Sequence, residues 1–381
     1  MNDKEAKPTV VFATGVMNAG GTESLIMEML RQSTGRVRYL MLIHCEGTTR
    51  PVGVFDDEIR RLGIKMEYIG SIGSLGIKGY MAAFKKFAAG TGRIDIVHSH
   101  LNASGGVIAM AAKKCGIRHR ICHCHADIHY TGSWGARLRN EISLKAMMAL
   151  IELYATDRWA CSQAAWRRLF LPWHKRVVIN NMIDTRKYLA SEKKRRTAKE
   201  KFGLVGKFVV GAAGRVAPIK NYECILKALA ATDAHFVCFG RFNPDNAYCK
   251  SLSDLARRLG VEQRVHWMGN SKSVCDDIHC IDLFVMPSFT EGFGMAAIEA
   301  QAASIPSLLS TGVPEIVDLG IGLVKFLSPN NDEEWHKEMS GGIKSIGIPA
   351  ETILEAFGHK EFDSVAAVKK IEDMYIALVN Q

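Results

Sequence analysis

The 381-residue chain lacks any apolar run approaching the roughly 18 residues that a membrane-spanning helix needs. Residues 1–7 are too acidic, and the apolar run at 10–13 is too short, for a secretory signal, so we expect a cytoplasmic protein. Its ten cysteines lie in a chain far larger than a disulfide-stapled scaffold, and we expect reduced, mostly buried thiols. The Gly-x-Ser-x-Gly elbow is also absent, and no cysteine is placed beside a known base, so no catalytic nucleophile is predicted.

Composition is ordinary, but charge is divided unevenly. Hydrophobic residues make up 48% and charged residues 23%, which excludes a disordered, collagen-like or coiled-coil chain, and the length suggests two domains. The net charge of +10 lies in the first half: residues 1–190 hold 27 Lys and Arg against 15 Asp and Glu, whereas residues 191–381 hold 22 against 24. A basic first half suits nucleic acid, an anionic membrane surface or a phosphorylated substrate, and charge alone does not choose among them.

Short apolar runs alternate with amphipathic stretches along the chain. In the first half, strands are predicted at residues 9–13, 39–44, 94–98 and 120–125, with helices at 54–62, 77–89, 103–115 and 138–154. The pattern restarts with strands at 207–214, 234–239, 265–268 and 283–286 and a helix at 221–231. This alternation predicts an α/β fold of two Rossmann-like domains facing each other across a cleft.

Residues 288–300 carry the strongest functional signal. They follow an apolar strand and open a helix, and their glycines permit a tight turn, so free backbone amides would form an anion site at the helix N-terminus. Glu291 in the turn and Glu299 on the helix would accept hydrogen bonds from sugar hydroxyls. The alternative is that Glu291 caps the helix and Glu299 is a surface residue. The amides in question belong to Phe293, Gly294 and Met295.

Two histidine pairs lie near predicted strand ends in the first half. His98 and His100 share a face, and both a structural role and substrate contact remain open for them. His123 and His125 alternate with cysteines, so imidazoles and thiols would point to opposite faces of a strand. That alternation, and the missing second ligand pair, argue against a zinc site. The cysteines are interpreted as core thiols, and neither a metal nor another cofactor is predicted.

Several segments together resemble, in order and spacing, the motifs of retaining glycosyltransferases of family 4. These enzymes belong to glycosyltransferase group 1 and have the two-domain GT-B fold, and the histidine segments are similar to those of capsular and exopolysaccharide members. The resemblance runs from about residue 10 to 320. The matching segments are Gly-Gly-x-Glu at 20–23, the histidine segments at 97–100 and 123–125, Asn-x-Ile-Asp at 181–184, Gly-Arg-x4-Lys at 214–220 and Glu-x7-Glu at 291–299.

The resemblance implies an acceptor-side domain over residues 1–184, a nucleotide-sugar-binding domain over 185–362 and a C-terminal helix over 363–381 that packs back on the first domain. It implies retaining transfer of a hexose or N-acetylhexosamine from a nucleotide diphosphate sugar, most often a UDP-sugar, to a saccharide acceptor. The departing phosphate would accept the acceptor's proton. Cations and a helix dipole would neutralise the donor, so no metal is required, and the metal-chelating Asp-x-Asp motif is absent.

Individual residues receive roles from the same resemblance. Arg215 and Lys220 would neutralise the diphosphate leaving group, and Gly21 would let the backbone approach it. His125 would contact the donor sugar, and Gly269 would lie near the base. The implied catalytic residues are His125, Glu291, Arg215 and Lys220. The implied donor-binding residues are Gly21, Arg215, Lys220, Gly269, Glu291, Phe293, Gly294, Met295 and Glu299.

The acceptor is expected to be lipid-linked, because relatives of this type use such acceptors and because the first half is basic. Residues 77–87 and 134–148 mix Lys and Arg with apolar side chains and would suit an anionic membrane surface on the inner face of the cell membrane. For each segment the alternative is a packed amphipathic helix with a solvated face. Two other functions stay open: a nucleotide-sugar epimerase of the same architecture, and a nucleic-acid-binding protein, against which the absence of recognisable motifs argues.

Overall fold

The computed structural model describes residues 7–18, 20–47, 50–125, 133–271, 273–341 and 347–381. The chain forms two compact units: unit 1 is Met1–Met182 with Ser364–Gln381, and unit 2 is Ile183–Asp363. The junctions differ by at most two residues from those expected at 184/185 and 362/363. The reason is that Ile183 pairs with Asp363 in a parallel bridge and donates its amide to the Phe362 carbonyl at 3.0 Å, which places both ends in unit 2.

Unit 1 contains a seven-stranded parallel sheet with helices. The strands are β1 (Thr9–Thr14), β2 (Arg38–Cys45), β3 (Lys65–Gly70), β4 (Ile96–Ser99), β5 (His119–Cys124), β6 (Asp157–Ala160) and β7 (Val177–Val178). They lie in the order β3-β2-β1-β4-β5-β6-β7. The helices are α1 (Gly21–Arg31), α2 (Asp56–Arg61), α3 (Ile72–Thr91), α4 (Gly105–Lys114), α5 (Trp134–Tyr154) and α6 (Gln163–Leu169).

Unit 2 repeats this architecture with a six-stranded parallel sheet. The strands are β8 (Val209–Ala213), β9 (His235–Phe239), β10 (Val265–Gly269), β11 (Leu283–Met286), β12 (Ser307–Ser310) and β13 (Val324–Leu327), in the order β10-β9-β8-β11-β12-β13. The helices are α7 (Thr185–Tyr188), α8 (Glu192–Lys201), α9 (Tyr222–Leu229), α10 (Ala247–Arg258), α11 (Val274–Asp277), α12 (Met295–Ala302), α13 (Asp332–Ser340) and α14 (Ala350–His359).

The central strands are continuous apolar runs because both faces of each sheet are covered. In β1, Val10 and Phe12 join one core cluster while Val11 and Ala13 join another, and all four are fully buried. Full burial of a Val or Phe side chain contributes about 1.5–3 kcal/mol. Such runs are typical of parallel sheets sandwiched between helices, so the predicted α/β class follows directly from the strand composition.

The C-terminal helix α15 (Ser364–Val379) belongs to unit 1. Its Tyr375 is fully buried in the same core cluster as Phe12. Its buried Glu372 accepts hydrogen bonds from the Ser33 hydroxyl at 2.9 Å and from both the amide and the hydroxyl of Thr34. A buried carboxylate needs such donors, so this contact fixes the helix against the turn that follows α1.

None of the helices in the described parts of the chain is long and apolar enough to cross a membrane.

Candidate active site

The strand order reverses direction once in each sheet, between β1 and β4 in unit 1 and between β8 and β11 in unit 2. Ligands of open parallel sheets bind outside the carboxyl ends of the strands at such a point. In unit 2 the loops that follow β8 and β11 meet there, where the Phe289 amide donates to the Ile219 carbonyl at 2.9 Å. These two loops hold the Gly-Arg-x4-Lys segment and the first half of Glu-x7-Glu.

Lys220 and Glu291 form an ion pair across the two loops. Their side chains are only 18% and 13% exposed. The buried Ser288 donates its hydroxyl to the same carboxylate oxygen, Glu291 Oε1, at 2.6 Å. Ser310 in turn donates its hydroxyl to the Ser288 carbonyl. A cation and a carboxylate are thus held side by side in a fixed, partly desolvated position, where their charges act more strongly than in water.

Glycines shape the turn that leads into α12. Gly294 has φ of +101°, in the left-handed region that favours glycine, and it is the N-cap of the helix, which has no side-chain cap. The alternative that Glu291 caps this helix is therefore wrong. The amides of Phe293 and Gly294 donate to no acceptor within the described ranges, so these donors are available to an anion. Met295 begins the helix.

Glycines without side chains lie at the carboxyl ends of the neighbouring strands β8, β9 and β10. Gly214, which has φ of +141°, donates its amide to the Phe239 carbonyl at 2.9 Å. A Cβ on Gly240 would lie 1.8 Å from the Gly214 carbonyl oxygen, and Gly240 forms a bridge with Gly269. Arg215, next to Gly214, is exposed and forms no hydrogen bond or ion pair with any residue that the structure describes. Its guanidinium is therefore free for a ligand anion, whereas Lys220 is held.

Glu299 lies on α12 and is half-buried. Its Oε1 accepts a hydrogen bond from the Tyr188 hydroxyl of α7 at 3.1 Å. The alternative of a simple surface residue is therefore wrong, because this carboxylate is oriented by a neighbouring helix. Tyr188 was not anticipated from the sequence, since nothing in the chain relates it to a residue 111 positions away.

In unit 1 the corresponding point lies at the ends of β1 and β4. Gly20 precedes α1, where a Cβ would meet the Glu23 carboxylate at 2.3 Å. Gly21 begins α1 and is exposed, and no protein atom lies within 4 Å of a Cβ built on it. The protein itself does not require glycine at position 21, so the space there is available to a ligand.

Four histidines form a contiguous array at the ends of β4 and β5. The rings of His98 and His100 stack with centroids 4.2 Å apart, and those of His123 and His125 lie 4.0 Å apart. The two strands are linked by His98 Nε2 to His123 Nδ1 at 3.1 Å and by His100 Nδ1 to His125 Nε2 at 2.9 Å. Cys122 and Cys124 point into a different core cluster, as the alternation of side chains predicted.

Burial sets the protonation state of the array. It lowers the pKa of His98, His100 and His123 well below the ordinary value, and that of His125 to about 3. All four imidazoles are therefore neutral near pH 7. The His98 Nδ1 contacts the Tyr375 hydroxyl at 2.7 Å, and His125 is oriented by its amide, which donates to Asn102 Oδ1 at 2.7 Å.

The sequence missed the supporting residues of both sites. Ser288 begins the segment 288–300, three residues before Glu291, and this position is the one signal that the sequence offers for it. Asn102 and Tyr375 carried none, because only the folded chain brings them to His125 and His98.

Comparison with known proteins agrees with this architecture. Residues 194–343 match the family model of glycosyl transferases group 1. The chain is 27% identical over 384 residues to a protein of Bacillus subtilis (strain 168) named as glycosyltransferase EpsF, covering 98% of this chain and 97% of that protein. It is 26% identical to the capsular polysaccharide biosynthesis glycosyltransferase CapH of Staphylococcus aureus, over 75% of this chain and 76% of that one.

Solved structures show the same fold. Anabaena Alr3699/HepE in complex with UDP and glucose superimposes with a TM-score of 0.78 at 21% identity, covering 97% of this chain and 100% of that one. The apo form of the lipopolysaccharide outer core galactosyltransferase WaaB gives 0.66 at 18% identity, covering 97% and 99%.

Two parallel-sheet α/β units, each with one strand switch point, are the architecture of the GT-B class of fold. Residues 194–343 are similar to glycosyl transferases group 1, so the resemblance to that group inferred from the motifs is confirmed.

Proposed function

We propose that the protein transfers a hexose or N-acetylhexosamine from a UDP-sugar, with retention, to a lipid-linked saccharide in cell-surface polysaccharide assembly. The observation that carries the proposal is the fixed Lys220–Glu291 pair beside free helix-terminal amides at the switch point of unit 2. Names of relatives support the setting. CapH is named for capsular polysaccharide biosynthesis, and a 23% identical Escherichia coli relative is named UDP-Gal:alpha-D-GlcNAc-diphosphoundecaprenol alpha-1,3-galactosyltransferase.

The donor's diphosphate is proposed to lie over the loops of unit 2. Lys220 and the exposed Arg215 neutralise the charge that grows on the phosphate as the bond from the anomeric carbon to phosphate oxygen breaks. The amides of Phe293, Gly294 and Met295 hold the same phosphates, and Glu299 accepts hydrogen bonds from the ribose. Gly269 lies beside the base. With these cations at the diphosphate, the transfer step requires no metal there.

Unit 1 is proposed to contribute Gly21 at the diphosphate and His125 at the donor sugar. The neutral imidazole of His125 is a hydrogen-bonding group rather than a cation near pH 7, so it orients the sugar instead of neutralising phosphate. The acceptor hydroxyl forms the new bond on the face from which phosphate departs, and its proton passes to the departing phosphate oxygen. Glu291, already paired with Lys220, positions that lysine and the sugar hydroxyls.

The lipid-linked acceptor is proposed to be reached at the cytoplasmic face of the cell membrane. The support is α5, on which Trp134, Leu138 and Ile142 are 78%, 46% and 61% exposed. They recur every four residues and so form one apolar stripe. The exposed basic side chains of the same helix are Arg137, Arg139 and Lys145. An apolar stripe flanked by cations is typical of a helix that lies on an anionic membrane.

The proposal is tested in two steps. A panel of nucleotide sugars is first screened by thermal shift, where a ligand at 100 times its Kd should add about 2.7 kcal/mol of stability. The best donor is then incubated with and without lipid-linked saccharides, and the product's anomeric configuration is read by NMR. Transfer with retention supports the proposal. Isomerised nucleotide sugar without an acceptor would instead indicate an epimerase, and salt-sensitive binding of nucleic acid without sugar binding would overturn both.

A further inference from the structure

We propose that His98, His100 and His123 bind a divalent transition-metal cation of the zinc class. Each of the three residues offers one ligand nitrogen, and these atoms lie within 4.8 Å of one another. All three side chains are buried, with at most 2% of each exposed. The inference goes beyond the proposed transfer reaction and assigns the cation no step in it.

One pair of nitrogens in the array has the spacing that a metal requires, and the third ligand nitrogen lies within 4.8 Å of both. His98 Nε2 and His123 Nδ1 are 3.1 Å apart. Two ligand nitrogens on a tetrahedral zinc, each about 2.0–2.1 Å from the metal, are about 3.3 Å apart. The same two atoms can therefore share a proton or share a cation with little movement. Metal binding moves the proton of this hydrogen bond away from the two ligand atoms, and the unpartnered Nε2 of His123 is the ring nitrogen that can carry it.

An unpartnered nitrogen favours a cation over a purely hydrogen-bonded array. The Nε2 atom of His100 is buried and has no hydrogen-bond partner within the described residues. Leaving a buried polar atom unsatisfied destabilises a fold, so such an atom usually indicates a missing ion or water. A coordinate bond would satisfy it.

Neighbouring groups orient the ligand rings. His98 Nδ1 contacts the buried Tyr375 hydroxyl at 2.7 Å, and His100 Nδ1 contacts His125 Nε2 at 2.9 Å. Metal-binding imidazoles normally use their second nitrogen in this way, which fixes the tautomer and the ring orientation. His125 is then the partner of a ligand and not itself a ligand.

The donor set selects the metal. Three imidazoles suit Zn²⁺, Co²⁺, Ni²⁺ or Cu²⁺, whereas Mg²⁺ and Ca²⁺ prefer oxygen ligands. The sequence had argued against zinc because it lacked a second ligand pair. The structure supplies that pair from the neighbouring strand β4, and the transfer step in unit 2 is still proposed to need no metal.

The test is a titration of the full chain, stripped of metal and kept reduced, with Co²⁺ and with Zn²⁺. We expect one equivalent of Co²⁺, an absorption spectrum of imidazole-bound cobalt without the intense thiolate band, and displacement by Zn²⁺ but not by Mg²⁺. His100→Gln and His123→Gln should each weaken binding more than about 100-fold, since changes around the ligands alone cost about 10–100-fold.

The control is His266→Gln, which removes half of a histidine pair in unit 2 whose His235 Nδ1 and His266 Nε2 lie 3.0 Å apart. It should leave the stoichiometry and affinity unchanged. The proposal is overturned if the wild-type chain binds no Co²⁺ at micromolar concentrations, if a thiolate band appears, or if both ligand variants bind normally. If either ligand variant fails to fold, Tyr375→Phe provides the second measurement, with an expected loss of about 10-fold. Unchanged binding in that variant would also overturn the proposal.

Discussion

The two units share a parallel sheet and a switch point but place opposite chemistry at their strand ends. In unit 1 the ends carry neutral, buried imidazoles stacked on one another. In unit 2 they carry a partly buried ion pair, an exposed arginine and turns made of glycine backbone. The same architecture therefore presents uncharged hydrogen-bonding groups on one unit and fixed charges on the other. In both units the sheet topology therefore determines where the candidate site lies, and the loop residues determine its chemistry.

The net charge of each half does not match the charge at its strand ends. The first 190 residues hold the whole surplus of basic residues, yet the strand ends of unit 1 are neutral. Unit 2, which is nearly balanced in charge, concentrates Arg215 and Lys220 at its switch point. The surplus of unit 1 lies instead on exposed surfaces such as α5. A charge count therefore describes the molecule's surroundings and does not locate its site.

The largest expected effect is on the ion pair of unit 2. Lys220→Ala should lower kcat for sugar transfer by about 10²–10³-fold, the usual loss when a group that stabilises transition-state charge is removed. Glu291→Ala should lower kcat by a factor in the same range. Because the two side chains act as one unit, the double variant should be little worse than either single variant. Initial rates with the donor identified by thermal shift would measure all three.

Lys227→Ala is the matched control for that experiment. Lys227 pairs with Asp332 at the surface of the same unit, and both side chains are about half exposed. Such pairs are worth about 0–1 kcal/mol, so turnover should stay near normal. Near-normal turnover in Lys220→Ala would show that the Lys220–Glu291 ion pair of unit 2 has no role in sugar transfer. The proposed difference in function between the strand ends of the two units would then be wrong.

The second prediction concerns the glycines at the two strand ends. Gly240→Ala should destabilise unit 2 by about 3 kcal/mol, because the new Cβ would overlap the Gly214 carbonyl oxygen and force the backbone apart. The melting temperature should fall by roughly 6–12 °C. Gly21→Ala in unit 1 has open space around its Cβ and should change stability by less than about 0.5 kcal/mol.

UDP binding distinguishes the roles of the two glycines further. If Gly21 admits a diphosphate, Gly21→Ala should weaken UDP binding, measured by calorimetry, while its melting temperature is unchanged. Unaltered UDP affinity would leave Gly21 as an ordinary turn residue. A Gly240→Ala protein that melts like the wild type would contradict the close approach of β8 and β9 on which the backbone-built site rests.

The sequence predicted the central strands because these are continuous apolar runs buried on both faces. It missed three of the four sheet edges, β3, β7 and β13, and their neighbours β6 and β12, but it predicted the fourth edge strand, β10. Edge strands are half exposed: Lys65 and Glu67 in β3 face solvent with their charged groups. Their composition is not the apolar run by which buried strands were recognised.

The site residues divide in the same way. Lys220 and Glu291 could be predicted as site residues because each lies in a loop motif that follows a recognisable strand. Their contact joins residues 71 positions apart in the sequence. Both histidine pairs were recognised, but their contact could not be predicted, because alternation along β5 says which face His123 uses but not which strand lies beside it. The pairing of β4 with β5, in which His98 stands opposite Ile121, supplies the missing neighbours.

A smaller effect is expected at Glu299. Glu299→Ala should weaken UDP binding about tenfold, the loss of roughly 1.4 kcal/mol that follows when a charged hydrogen-bond acceptor is removed. Tyr188→Phe is the matched variant, because it removes the hydroxyl that orients Glu299 and leaves the carboxylate in place. It should weaken binding only a few-fold. Affinity that is unchanged in Glu299→Ala would count against the ribose role and leave the carboxylate as a link between α12 and α7.

The smallest expected effect separates two helices within unit 1. Tyr80 and Phe84 of α3 are fully buried in the core and Phe87 packs against the same cluster, so the amphipathic pattern of this helix is explained by packing. Helix α5 instead leaves Ile142 exposed, and Ile142→Ser should weaken binding to anionic vesicles about fivefold, since roughly 1 kcal/mol of apolar burial is lost. Ile77→Ser, at an isoleucine of α3 that is 45% exposed, should change vesicle binding less than twofold.

Sedimentation with vesicles at low and high salt measures both variants, and binding should fall at high salt because the flanking cations are screened. Equal losses in the two variants would contradict the choice of α5 as the membrane-binding helix. If the wild-type chain does not bind vesicles, the proposed membrane contact is wrong and the basic residues of unit 1 would bind soluble partners instead.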